Sequence, residues 1–123
     1  MEYMERILGR KIRFLLPSLK LKCPGRHGVN IEAELHEFLM QHFGGYTAST
    51  GNLFGYWREK GEEDSYGEHR EFTVALSTEE SLSHLKSFLA RVADELGEKC
   101  IYLEDAGKAL LIYGAQDVRF KRI

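Results

Sequence analysis

Gly44-Gly45-Tyr46-Thr47, Leu53-Phe54-Gly55-Tyr56-Trp57, Arg58-Glu59-Lys60-Gly61-Glu62-Glu63-Asp64 and Glu71-Phe72-Thr73-Val74-Ala75-Leu76 follow one another in the middle of the chain. The double glycine stops an amphipathic helix, and the residues after it take the two-residue period of a strand. A charged, glycine-flanked break comes next. In the run beyond it, Phe72, Val74 and Leu76 share one face while Glu71, Thr73 and Ala75 share the other. The pattern predicts a hairpin of two strands, roughly 51 to 58 and 68 to 76. The sheet would hold the ends of the long charged loop while its tip stays free, an arrangement that suits binding.

Upstream, Ile12, Phe14 and Leu16 alternate in a first strand that ends at Pro17. The turn formers Cys23-Pro24-Gly25-Arg26-His27-Gly28 follow, and Asn30 is placed to cap a helix defined by Ile31, Leu35, Phe38, Leu39 and Phe43. Downstream, Ser77 and Glu80 have capping-box spacing, Leu82, Leu85, Leu89, Val92 and Leu96 repeat at helical period, and Gly97 ends the run. Two β-rich runs, Cys100 to Leu103 and Ala109 to Tyr113, are joined across Asp105-Ala106-Gly107, and a basic tail runs from Arg119 to Ile123.

This order predicts an α+β ferredoxin-like sandwich, βαββαβ plus an extra C-terminal strand, with an antiparallel sheet and two helices on one face. The opposite sheet face has no helix to cover it. Apolar area left in water costs roughly 25 cal/mol per Å², so homo-oligomerisation is expected.

At 123 residues the chain is expected to be a single domain, 1–123. A hydrophobic fraction of 43% with 29% charged residues excludes disorder and fibrous repeats, and a net charge of −2 argues against a dedicated nucleic-acid binder. The acidic start Met1-Glu2-Tyr3-Met4-Glu5-Arg6 has no apolar run behind it, and so reads as neither signal peptide nor membrane anchor. Cys23 and Cys100 lack CxxC spacing and are expected as reduced thiols in a cytoplasmic protein.

Three segments, Lys11 to Leu21 with its Pro17, Gly44-Gly45-Tyr46-Thr47, and Gly55-Tyr56-Trp57-Arg58-Glu59-Lys60-Gly61, together resemble the PII signalling proteins and their PII-like relatives. The resemblance extends by pattern over Glu71 to Leu96. It implies a homotrimer of ferredoxin-like subunits that binds a nucleotide or other small anionic ligand in a cleft between subunits and contacts a partner protein through a long loop. On this resemblance Thr47, Gly55, Arg58 and Lys99 line the cleft, and the partner loop spans 59–68 with Lys60, Gly61, Glu62, Glu63, Asp64 and Tyr66. The chain departs from the family in having Trp57 where the family has glycine. It also has only Leu96-Gly97-Glu98-Lys99 where the family has a glycine-rich phosphate loop. Phosphate approach needs glycine, and Glu98 repels it, so ordinary ATP binding is not expected.

The resemblance therefore implies a non-enzymatic regulatory or adaptor protein. An alternative from the residues themselves is a small hydrolase or nuclease using His27, Glu68 and His69 across a subunit boundary, since histidines on loops and strand ends suit proton transfer. No serine nucleophile motif occurs. Glu32 and His36 share a helix face, but no second histidine completes HExxH, so no metal site is expected. Trp57 is expected chiefly as a core or subunit-interface aromatic, with a ligand-stacking platform as the other reading.

Overall fold

A computed structural model describes residues 1–25 and 28–115. The elements run β1 (Arg10–Pro17), a short 3-10 turn (Leu19–Lys22), α1 (Ile31–Phe43), β2 (Thr47–Ala48), β3 (Leu53–Trp57), β4 (Ser65–Leu76), α2 (Glu79–Leu96), β5 (Cys100–Asp105) and β6 (Lys108–Tyr113). The strands form one six-stranded sheet in the order β2-β4-β1-β5-β6, with β3 pairing β4 beyond β2. Every pairing is antiparallel. This is the ferredoxin-like sandwich, with β6 added at one edge.

Both helices cover the same face, because the apolar residues of the central strands point that way. Ile12, Phe14 and Leu16 of β1, Phe72, Val74 and Leu76 of β4, and Ile101 and Leu103 of β5 meet Leu35, Leu39, Leu85, Leu89 and Val92 in a single core. Phe14 stacks on Phe72 with ring centroids 5.5 Å apart.

The helix ends follow local chemistry. Asn30 accepts from the Ala33 amide at 2.7 Å, and Gly44 ends α1 in the left-handed region. The cap of α2 is Thr78, whose hydroxyl accepts from the Ser81 amide at 3.0 Å, not the expected Ser77 paired with Glu80. With Ser77 and Thr78 adjacent, either could cap, and the strand running through Leu76 leaves Thr78 as the extended residue where the helix begins.

The hairpin is longer than the sequence pattern indicated. β4 begins at Ser65, pairing Trp57 with Ser65 and Gly55 with Gly67, so the excursion shrinks to residues 58–64. Tyr66, expected in the loop, lies in the strand, where its ring packs 5.2 Å from Tyr56 and 6.1 Å from Phe54. Thr47 and Ala48 form their own short strand against Thr73 and Phe72. His27 and the basic tail lie outside the described residues. Among the described residues, no helix is long and apolar enough to cross a membrane.

Candidate functional site

The sheet face turned away from the helices carries Arg13 and Leu15 from β1, His69 and Glu71 from β4, Tyr102 and Glu104 from β5, and Leu111 and Tyr113 from β6. Its centre is polar: Arg13 donates to Glu71 at 2.6 Å and to Glu104 at 2.7 Å, and Tyr102 donates to Glu104 at 2.8 Å. These contacts, Glu71 first, raise the Arg13 pKa above its ordinary value. Beside this network, toward the hairpin, the surface sinks into a cavity of about 340 Å³.

Leu15, Gly67, His69, Tyr102 and Leu111 line this cavity from the sheet, and Trp57 lines it from the hairpin. Two glycines make room for the indole. A Cβ on Gly55 would stand 3.2 Å from the Trp57 ring, and one on Gly67 would stand 3.0 Å from that ring and 2.6 Å from the His69 imidazole. The ring meets His69 edge-on at 5.1 Å. Burial lowers the His69 pKa, opposed by the nearby charge of Glu98 and by a hydrogen bond that the imidazole donates to the Gly67 backbone carbonyl, so the neutral ring is favoured.

Ser65 and Tyr66 add to the hairpin side, and Glu59, Glu62, Gly97, Glu98, Lys99 and Cys100 complete the lining. Gly97 takes a left-handed φ of 68°, and the Glu98 amide donates back to the Ala93 carbonyl at 2.8 Å, which turns the chain out of α2 at the cavity's edge. Lys20 donates to Glu98 at 2.8 Å and to the Leu96 carbonyl at 3.1 Å. Lys99 donates to both oxygens of Glu62 at 2.8 Å, tying the hairpin loop to this turn. The cavity thus offers an aromatic wall, an apolar floor and three carboxylates, of which Glu98 is paired with Lys20 and Glu62 with Lys99. That combination suits a flat ring and a neutral or positive substituent better than a phosphate.

The structure does not gather the four expected ligand residues in one chain. Thr47 pairs with Thr73 at the far end of β4, roughly 20 Å from Gly67 at ~3.3 Å per residue. Gly55 lies under the indole, which occupies the close approach expected for a ligand. Arg58 is outside the cavity, paired with Asp64 at 2.5 Å across the loop. Only Lys99 lines the cavity, and it is tied to Glu62. Of the expected partner loop, Lys60, Gly61, Glu62, Glu63 and Asp64 form the turn, where the Glu62 amide donates to the Glu59 carbonyl at 2.9 Å.

The alternative acid–base group is also divided. Glu68 and His69 are strand neighbours and point to opposite faces; Asn52 donates to Glu68 at 3.3 Å. His36, which shares a helix face with Glu32, has its Nδ1 2.9 Å from the Tyr46 hydroxyl. Among the described residues, no group of three or more His, Cys, Asp or Glu is placed to hold a metal ion. Leu15, Tyr102 and Leu111 escaped the sequence reading because each looks like an ordinary strand residue until the sheet order is known.

No family model matches this chain, and no curated protein matches it. Among solved structures, a phage SAM lyase in complex with S-methyl-5'-thioadenosine is similar, with a TM-score of 0.54 at 12% identity over 94% of this chain and 98% of that one. The likeness is one of fold: a small α+β protein of the same extent.

Proposed function

We propose that this chain binds a small adenine nucleoside in the cavity beside Trp57, and that it works as a non-enzymatic, PII-like regulatory or adaptor protein. The observation that carries the reading is an aromatic-walled, acid-rimmed cavity on the sheet face that no helix covers. An adenine ring is flat and stacks on indole. The rim carries three carboxylates, two of them paired with Lys20 and Lys99, and this acidic edge favours a nucleoside with a neutral or positively charged 5' group over ATP. This replaces the anionic ligand that the PII-like resemblance implies. The ligand in the similar lyase structure, a neutral thioether nucleoside, supports the choice.

In the same reading the open face packs against further copies in a closed oligomer, a trimer by the PII-like resemblance, and the 58–64 turn carries the ligand state to a partner protein. The half-exposed Leu15, Tyr102, Leu111 and Tyr113 supply the apolar area that association would cover.

A second reading is favoured by the similar structure's being a lyase: the cavity turns its ligand over, with the neutral His69 beside the charge of Glu98 as the proton-handling pair.

Trp57 is the sole tryptophan, so its fluorescence reports cavity occupancy directly. Titration with S-methyl-5'-thioadenosine and S-adenosylmethionine should change the emission saturably, and ATP should not. Binding of ATP alone would overturn the ligand class. Chromatography of S-adenosylmethionine incubated with the protein separates the two readings, since an unchanged ligand supports the regulator and released S-methyl-5'-thioadenosine supports the enzyme. A strict monomer by light scattering at micromolar concentration would remove the assembly.

A further inference from the structure

Two apolar parts of the surface lack a seat in their own chain. The first is the segment ahead of β1. Residues 1–9 belong to no helix or strand and are all exposed, and within them Tyr3, Met4 and Ile7 are each 80% exposed or more. The second is the ribbon of β3 and β4. β3 is the uncharged run Leu53-Phe54-Gly55-Tyr56-Trp57; it pairs with β4, and among the described residues no strand lies along its outer edge. Phe54, Tyr56 and Tyr66 stand exposed on one side of this ribbon. An uncharged edge of this kind is a template for another extended segment, through its unpaired backbone groups.

The segment cannot cover the ribbon of its own chain. Arg10 pairs with Leu76 and Tyr56 pairs with Tyr66, so the root of the segment and the aromatic rings are separated along β4 from residue 76 to residue 66, roughly 33 Å at ~3.3 Å per residue. Fully extended from Gly9, Tyr3 reaches about 20 Å and Ile7 about 7 Å. The root itself is fixed. Gly9 takes a φ of 122°, and a Cβ there would collide with the Leu76 carbonyl, so the chain leaves the sheet at this point through a glycine. A seat for both parts exists where the segment of one copy meets the ribbon of another.

We propose that this segment is an exchanged arm: residues 2–8 of one copy lie along β3 of a second copy as an added strand, with the arm's apolar side chains against Phe54, Tyr56 and Tyr66. Charge favours the match. Tyr3, Glu5 and Ile7 share one face of an extended segment, and Arg58 follows Tyr56 on the ribbon. A register that sets Glu5 opposite Arg58 brings Ile7 over Tyr56 if the strands are antiparallel and Tyr3 over Tyr56 if they are parallel. The Arg58 guanidinium, already on Asp64, keeps further donors for a second carboxylate. A seated arm covers on the order of 800 Å² over both surfaces, and mutual exchange doubles this to the size of a stable interface. The exchange needs no ligand in the cavity beside Trp57.

Photo-crosslinking of the intact chain tests it. Tyr3 is replaced by p-benzoylphenylalanine, unlabelled and heavy-isotope-labelled chains are mixed, and adducts are mapped by peptide mass spectrometry. Mixed-isotope adducts that join the arm to the peptide carrying Phe54 and Tyr56 are expected. Tyr56→Ser should lower their yield several-fold, and deletion of residues 2–8 should weaken self-association about tenfold or more by sedimentation equilibrium, with an unchanged circular dichroism spectrum. Adducts within one chain, adducts elsewhere on the second copy, or none between copies overturn the proposal, as does unchanged association after the deletion. Should Tyr56→Ser disturb the ribbon, Ile7→Ser gives the second reading from the arm, outside the folded core: a lower yield supports the exchange, and an unchanged yield refutes it.

Discussion

Replacing Trp57 by alanine removes the wall of the open-face cavity, and the cost follows from how the indole sits. Trp57 is 37% exposed, so about three-fifths of the side chain is covered by Gly55, Gly67, His69 and their neighbours. For a side chain of this size, roughly 150 Å² is withdrawn from water. At ~25 cal/mol per Å² that is worth about 4 kcal/mol as an upper bound. A compact denatured chain already hides part of this area, which brings the expected cost of Trp57→Ala to about 2–3 kcal/mol. Phe54 is three residues away on the same strand, but it faces the other side and is 71% exposed. Phe54→Ala should cost under about 1 kcal/mol. Urea unfolding followed by far-UV circular dichroism, with both variants at one protein concentration, measures the pair. Equal midpoints for the two variants would show that the indole is not packed over the glycines, and the cavity would lose its wall.

Thr78→Ala should destabilise by about 1 kcal/mol through loss of the α2 cap, whereas Ser77→Ala should be near neutral, as read by thermal unfolding. The folded-state pKa of His69 is depressed by burial, so the unfolded chain binds the proton more readily. The contribution is therefore complete above the ordinary imidazole value of 6.5 and is lost as pH falls below it, and His69→Gln should flatten this part of the stability-against-pH profile. Burial of His69 is refuted if the two profiles run parallel. Lys99→Ala should cost less than about 1 kcal/mol because its pair with Glu62 is largely exposed, yet it should speed proteolytic cleavage within residues 58–64. Unchanged cleavage would mean that the Lys99–Glu62 contact does not hold the turn.

The fold was legible in the sequence where one strand or helix carries its own signal. The alternation of Ile12, Phe14 and Leu16 marks the central strand, and Asn30, Gly44 and Gly97 mark helix ends by local chemistry that needs no tertiary context. The cavity was not legible, because it depends on register. Trp57 gains its seat only when Gly55 faces Gly67 across β3 and β4, a pairing set by residues 65 to 67, which carry no apolar alternation. A tryptophan two residues from a glycine, with another glycine across the turn, was the signal available. Arg58 and Lys99 looked like free cations for a ligand, and each found a carboxylate from the same acidic loop, Asp64 and Glu62.

β4 is twelve residues long, but the core it serves ends near Arg70. Its first half and β3 extend past the helices as a two-stranded ribbon, with Phe54, Tyr56 and Tyr66 exposed on one side. A ribbon of two strands is marginal by itself. One continuous strand thus joins a core-packed stretch to a thinly packed one, and amides near Gly67 should exchange by local opening while those near Val74 should exchange only with global unfolding. Whatever settles in the cavity or against the ribbon shifts that local equilibrium and need not move the core, so occupancy would be felt at the tip of the hairpin, where the chain meets its surroundings.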